Sequence, residues 1–179
     1  DQGFIAFNRK YVSTLERWGI YQAESSGRSF INPVARTNVC PEYFGPTEVG
    51  MYSFTYTVPA NTEALPSFVI SGGGDARSGS EPYRERIIAY GDCSEAGLKL
   101  KMEFVVNEMQ QRLVSLGFHW DDVTSAQAYS VHNIGSLVEE VFAKQKRMRC
   151  GINWYFARPP VAGLDFEMDA RGSVDQIFI

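Results

Sequence analysis

The run SEAGLKLKMEFVVNEMQQRLVSLG, residues 94–117, decides the fold because its periodicity indicates a single kind of structure. Its large apolar side chains recur every three or four residues, which places them on one face of an α-helix. Ser94 is a good N-cap, and Gly117 can end the helix. The apolar face consists of Leu98, Met102, Val105, Met109, Leu113 and Leu116. Such a helix must cover another hydrophobic surface.

Segments with strand character lie on both sides of this helix. Several are rich in β-branched and aromatic residues, and the last one alternates apolar and polar side chains. They are residues 51–58 (MYSFTYTV), 67–71 (SFVIS), 86–90 (RIIAY), 123–131, 151–158 (GINWYFAR) and 164–171 (LDFEMDAR). A second helix of about 12 residues is predicted from Ser136, with Leu137, Val141 and Phe142 buried. This order predicts an α+β fold, in which two helices pack on one face of a mixed sheet.

The first 45 residues differ from the rest of the chain. Short apolar stretches there are interrupted by glycine, serine and proline, so the pattern does not separate helix from strand. A chain of 179 residues suggests one domain with an extension. We therefore predict an N-terminal extension over residues 1–45, packed through Trp18, Tyr21 and Phe30 on a main domain over residues 46–179.

Composition narrows the function classes. Hydrophobic residues make up 44% of the chain and charged residues 21%, which is typical of a globular protein rather than a disordered one. The formal net charge is −4 and no basic run occurs, so nucleic acid is a disfavoured partner. No apolar run approaches the roughly 20 residues that cross a bilayer. Three widely spaced cysteines form no disulfide framework, and the simplest location is the cytoplasm.

The last predicted strand carries the most informative polar pattern. Asp165, Glu167 and Asp169 alternate with apolar residues, so they share the face that points away from the helices. This face could simply be solvated. Alternatively, a pocket or subunit interface covers it, and desolvation then raises the pKa of Glu167 into the range that suits general acid–base catalysis.

Two arginines flank the preceding strand. Arg149 and Arg158 could each clamp a substrate carboxylate through paired hydrogen bonds, or each could form a surface ion pair. The histidines, His119 and His132, do not have the spacing of metal ligands, and no CxxC pair occurs, so no metal site is predicted.

From residue 50 onwards the chain resembles the RidA/YjgF superfamily, which is also called L-PSP endoribonuclease-like. Gly50-Met51-Tyr52-Ser53 resembles its early G-x-Y-S segment, and Phe68-Val69-Ile70-Ser71-Gly72 resembles its "fvSG" strand. The helix at 94–117 followed by Asp121-Asp122-Val123 resembles its long helix and "l-d-D-V" step. Asp165-Phe166-Glu167-Met168-Asp169-Ala170 resembles its closing strand. The order and spacing of these motifs make the resemblance fairly specific.

The resemblance implies a chorismate-mutase-like fold and homotrimers with pockets at the subunit interfaces. Many members hydrolyse enamines or imines derived from amino acids, others deaminate aminomuconate, and no metal or organic cofactor is needed. The implied substrate is therefore a small carboxylated molecule. Glu167 matches the closing-strand glutamate that would position water or move its proton. Tyr52, Ser71 and Gly72 match pocket positions, and Asn153 stands where the family has a cysteine.

One departure from the family leaves the activity open. Active deaminases carry an arginine in the penultimate strand where this chain has Gly151, and Arg149 lies two residues away. The leading hypothesis is a deaminase-type hydrolase that acts on a 2-aminoacrylate-like or aminomuconate-like substrate, with Arg149 or Arg158 as the carboxylate clamp. A non-catalytic ligand-binding or regulatory trimer is the alternative. An endoribonuclease is opposed by the net charge.

Overall fold

A computed structural model describes residues 2–25, 30–147 and 149–173. The helices are α1 (Gln2–Arg17), α2 (Tyr83–Arg86), α3 (Glu95–Ser115) and α4 (Gly135–Val138), which continues into a π-helical segment (Glu139–Ala143). The strands are β1 (Cys40–Pro41), β2 (Phe68–Gly74), β3 (Ser125–Tyr129), β4 (Asn153–Tyr155), β5 (Ala157–Arg158) and β6 (Glu167–Gly172). A 3-10 turn spans Trp120–Asp122. None of the described helices has the length and apolar character needed to cross a membrane.

The long helix predicted from periodicity is confirmed as α3. The Ser94 hydroxyl accepts a hydrogen bond from the Gly97 amide at 3.2 Å, and Gly117 has a φ of +81° just beyond the helix end. The predicted apolar face is buried from Leu98 to Leu113, whereas Leu116 is 54% exposed. Leu116 is the C-cap residue, so the helix ends before it can bring this side chain onto the core.

The predicted α+β fold with a mixed sheet is confirmed. The main sheet has four strands in the order β2-β6-β3-β4. β6 is antiparallel to β2 and β3, whereas β3 and β4 are parallel. α3 packs against β2 and β6, and the segment that follows α4 packs against α3. The residues shared by this core include Val105, Met109, Leu137, Val141, Phe142, Phe166 and Met168.

The strand predicted over residues 51–58 is wrong, because residues 49–65 contain neither helix nor strand. A strand needs a partner for its backbone hydrogen bonds. β2 is an edge strand, and its Gly72 amide donates instead to the Arg36 carbonyl at 3.1 Å. We call residues 49–65 the apolar segment because its large side chains are exposed by 64–88%. They are Val49, Met51, Tyr52, Phe54, Tyr56, Val58 and Leu65.

The N-terminal extension contacts the rest of the chain through residues other than those predicted. Trp18 is 65% exposed and Phe30 is 58% exposed, and the Phe30 ring meets Tyr21 edge-on. Phe4 of α1 instead packs on a small cluster formed by Ile87, Val161 and Leu164. Residues 36 and 37 contact the main sheet, as described below. The division into residues 1–45 and 46–179 stays a prediction.

Candidate active site

The acidic face of β6 is buried, which excludes the solvated alternative for Glu167 and Asp169. Their exposed fractions are 5% and 9%. Phe166, Met168 and Ala170 point into the core under α3, so the strand alternation turns both carboxyls to the opposite face of the sheet. Part of the N-terminal extension lies over that face. Two carboxyls are therefore held side by side in a place from which most water is excluded.

The glycine run of β2 provides the space for the Glu167 carboxyl. A Cβ atom at Gly72 would collide with Glu167 Oε1 and with the methyl group of Thr37, so both side chains would have to move if residue 72 were not glycine. Burial raises the pKa of Glu167 to about 8, and the charges of Asp169 and Asp75 act in the same direction, against Arg112. Among the described residues, none forms a hydrogen bond with the Glu167 carboxyl. It therefore keeps a proton near neutral pH and has its oxygens free for a ligand.

Asp169 is fixed by hydrogen bonds rather than left free. Its Oδ2 accepts from the Thr37 hydroxyl at 2.6 Å and from the Tyr129 hydroxyl at 2.9 Å. With the Gln127 amide oriented to satisfy its neighbours, that amide donates to Asp169 Oδ1 at 2.5 Å and accepts from Arg171 at 3.0 Å. Burial raises the pKa of Asp169, and the donors from Thr37 and Tyr129 oppose this effect. Asp169 is thus held in a fixed position, and its charge raises the pKa of Glu167.

Aromatic side chains line the same face beyond the carboxyls. Tyr129 pairs with Glu167 in the sheet register, and its ring stacks on Tyr155 with centroids 5.5 Å apart. Tyr52 meets Tyr155 edge-on at 6.1 Å, although it is 88% exposed. Asn153 is exposed and lies opposite Gln127 in the register. Tyr52 and Asn153 therefore lie on the rim of the face whose interior holds Glu167.

The predicted pocket residues Ser71 and Gly72 are brought beside Glu167. The Ser71 carbonyl accepts from Arg112 at 2.9 Å, and the Ser71 hydroxyl accepts from the Arg36 amide at 3.3 Å. Ser71, Gly72 and Arg112 also line an open groove of about 390 Å³ between β2 and the C-terminal end of α3. This groove of mixed polar and apolar lining opens at the edge of β2 beside the glycine run.

The two predicted arginine clamps lie elsewhere. Arg158 belongs to the separate two-stranded sheet of β1 and β5, and its guanidinium holds Glu42 through two bonds of 2.6 and 2.8 Å. Arg149 is exposed next to the loop at Gly151. The structure does not bring either side chain to Glu167, and the arrangement of Arg158 is the surface ion pair weighed above. Their role in substrate binding stays a prediction.

A buried ion pair beside the site was missed by the sequence analysis. Lys101 of α3 is fully buried and lies 3.0 Å from Asp75 and 3.0 Å from Asp165. Asp75 also accepts hydrogen bonds from the amides of Asp165 and Phe166, which fixes the start of β6. The signal was available: position 101 follows Leu98 by three residues and so falls on the apolar face of the helix. A lysine there indicates a buried partner.

One group of residues could offer ligands to a metal ion. The donor atoms of Cys93, His132 and Asp165 lie within 4.8 Å of one another, and His132 Nε2 is 3.0 Å from Asp165 Oδ1. The second oxygen of Asp165 already contacts the Lys101 ammonium. The positive charge of Lys101 would repel a metal ion at this position, so the three side chains are better suited to a hydrogen-bonded cluster than to a metal site.

Comparison with known proteins gives three findings. The model of the family described as 2-aminomuconate deaminase CnbZ matches residues 1–177. A 2-amino-5-chloromuconate deaminase from Comamonas testosteroni is 53% identical over 175 residues, covering 97% of this chain and 67% of that protein. Among solved structures, the Rid-family protein YyfB from Yersinia pestis has a TM-score of 0.48 at 14% identity, covering 63% of this chain and 81% of that one. The YjgF gene product of E. coli has a TM-score of 0.45 at 13% identity, and the match covers 76% of this chain and 94% of that one.

Proposed function

Because this chain belongs to the 2-aminomuconate deaminase CnbZ family, within the RidA/YjgF superfamily, we propose that it hydrolyses an aminomuconate-type enamine and releases ammonia. The observation that carries the proposal is the buried Glu167 carboxyl beside the glycine run, with no hydrogen-bond partner among the described residues. The family match extends through residues 1–45, so the extension is common to the family.

The chemistry that we propose needs one group that first gives a proton and then takes one. An aminomuconate is an enamine, so a proton added to the carbon next to the amino-bearing carbon converts it to an imine. Glu167 holds a proton near neutral pH and is the donor. The resulting carboxylate then accepts a proton from the water that attacks the C=N carbon. Collapse of the adduct breaks the C–N bond, so ammonia leaves and a 2-oxo acid remains.

The neighbours of Glu167 support this cycle. The burial of the site and, to a smaller extent, the charge of Asp169 raise the pKa of Glu167 and so favour its protonated form. Thr37 and Tyr129 hold Asp169 in place, so its effect does not depend on a moving side chain. Because the substrate carbon is already electrophilic once the imine forms, positioning and proton transfer account for most of what the protein has to supply.

Ammonia release tests the proposal directly. A 2-aminomuconate generated in the assay should release ammonia faster with the protein than in a blank that records spontaneous hydrolysis. A 2-aminoacrylate generated in the same way serves as the matched comparison, and we expect the aminomuconate to be preferred. Equal rates with and without protein for both compounds would leave the ligand-binding alternative as the better description.

We also propose that the chain forms a homotrimer in the cytoplasm. The apolar segment supports assembly, since exposed apolar patches of this kind are typical of subunit interfaces. Three free, exposed cysteines support a reducing compartment. Light scattering coupled to gel filtration should therefore give the mass of three chains.

A paired substitution shows whether the apolar segment forms that interface. Phe54→Asp is expected to shift the assembly toward single chains, because the phenyl ring of Phe54 is 71% exposed in an isolated chain. Leu100→Asp is the control, since Leu100 is also exposed but lies on α3. A wild-type mass of one chain, or equal effects of both substitutions, would contradict the proposed interface.

A further inference from the structure

The side chain of Arg36 lies in an aromatic cage formed by α1. The guanidinium carbon is 4.3 Å from the centroid of the Tyr11 ring and 5.3 Å from that of Phe7, and one of its nitrogens, Nη2, donates to Asn8. The backbone of Arg36 is bound to Ser71 and Gly72 of the candidate site. The extension therefore carries a planar cation on a segment that is itself fixed to the glycine run.

This cation lacks a counter-charge among the described residues. Its Nη1 atom is buried and has no hydrogen-bond partner there, and none of the described carboxylates pairs with it. Burial lowers the pKa of Arg36, which reflects the cost of keeping its charge away from water. Buried charges in proteins are ordinarily paired, and an unsatisfied buried donor calls for a functional explanation. An anionic ligand would supply the missing counter-charge.

We propose that Arg36 binds a carboxylate of the substrate. The proposal rests on the proposed function, since an aminomuconate has a carboxylate at each end of its chain. One end can be held by Arg36 while the amino-bearing carbon meets Glu167. The guanidinium offers N–H groups in a plane that matches a carboxylate, and the rings of Tyr11 and Phe7 keep that plane fixed.

A further contact supports this assignment. The residue after Arg36, Thr37, donates to Asp169, so residues 36 and 37 join the anion site to the pair of carboxyls. The extension thereby becomes part of the active site.

A purely structural role for Arg36 makes a different prediction. If the cage serves only to attach α1, replacing Arg36 should lower the melting temperature. If the charge is kept for a ligand, Arg36→Met should leave the melting temperature of the free protein unchanged or raise it. Methionine keeps the apolar contacts with Phe7 and Tyr11, and the loss of the hydrogen bond to Asn8 is offset by the removal of a half-buried cation that has no counter-charge among the described residues.

The experiment is a calorimetric titration with cis,cis-muconate, a dicarboxylate that lacks the amino group and cannot release ammonia. We expect the wild-type protein to bind it and Arg36→Met to bind about 10- to 100-fold more weakly, as for the loss of a charge-assisted hydrogen bond. Arg84→Met is the matched control, because Arg84 also stacks on an aromatic ring, that of Tyr90, outside the candidate site, and it should bind like the wild type. Arg36→Lys keeps the positive charge but lacks the planar N–H groups of the guanidinium, so we expect an affinity between those of the wild type and Arg36→Met.

The possible results separate this inference from the proposed function. It is overturned if the wild type does not bind muconate, if Arg36→Met binds as tightly as the wild type, or if Arg84→Met loses as much affinity. It is also overturned if both Arg36 variants lose melting temperature and retain affinity. A protein that binds muconate through Arg36 and releases no ammonia from aminomuconate would refute the deaminase proposal and leave the Arg36 site standing.

Discussion

Glu167→Gln is expected to lower kcat for aminomuconate deamination by about 10²- to 10⁴-fold, the usual contribution of a general acid–base group. Glutamine has nearly the same shape and no charge, so it fits the space beside Gly72 and cannot give or take a proton. Measured initial rates of ammonia release check this. The control is Glu139→Gln, which removes an exposed carboxyl 3.4 Å from Lys144 and should leave kcat unchanged.

The pH dependence gives a second test of the same group. The pKa of Glu167 is raised to about 8, so the protonated donor should be lost, and kcat should fall, as the pH rises through that value. A carboxyl whose pKa is raised from 4.5 to about 8 by folding also costs stability, because the unfolded chain releases its proton while the folded chain keeps it; the loss builds up as the pH rises from 4.5 to about 8 and is complete above that value. Glu167→Gln should therefore melt at a higher temperature than the wild type above pH 8. Unchanged turnover in a folded variant would remove Glu167 from the mechanism.

Lys101→Met is expected to reduce the free energy of unfolding by about 3–5 kcal/mol, because it leaves buried carboxylates without their cation. Lys101 contacts Asp75, Asp165 and the carbonyl of Ile88, and its own side chain is fully buried. For a chain of this length such a loss corresponds to a melting temperature about 10 °C lower. Urea unfolding monitored by circular dichroism measures it.

A neighbouring lysine supplies the control for this prediction. Lys99 lies on the same helix and pairs with Glu140 and Glu103 near the surface. Lys99→Met should cost less than about 1 kcal/mol, as is usual for exposed ion pairs. The double variant Lys101→Met with Asp75→Asn should recover part of the loss, since it removes the unpaired charge as well. Equal effects of Lys101→Met and Lys99→Met would contradict the buried-pair explanation.

Local patterns predicted the parts of the fold that depend on local chemistry. The apolar spacing from Leu98 to Leu113 determines a helix face without reference to the rest of the chain, and α3 follows it closely. The same applies to the alternation around Glu167, which the structure turns away from the core. A strand depends on its partner, however. Residues 51–58 have the β-branched and aromatic side chains of a strand but pair with no strand among the described residues, and the Gly72 amide at the edge of β2 bonds to Arg36 instead.

The candidate site, like the fold, was predicted only in part. The resemblance to the RidA/YjgF superfamily led to Glu167, Ser71 and Gly72, which the structure places together, and the expected deaminase family is confirmed by the match to CnbZ. Arg36 and Thr37 were not foreseen. Each reaches the sheet from a segment without periodicity, and no local pattern indicates which distant residue such a segment will meet. The contact between Thr37 and Asp169 spans 132 residues of sequence.

That long span has a consequence for how the protein is made. The ribosome releases residues 36–37 before the strand that carries Glu167 and Asp169, since 132 residues separate Thr37 from Asp169. Contacts between such distant segments form slowly, because a large loop must close before they contribute any stability. The contact between the extension and β6 therefore forms late in folding. In a refolding experiment, we expect enzymatic activity to return in the slowest step, after the circular dichroism signal of the helices has recovered.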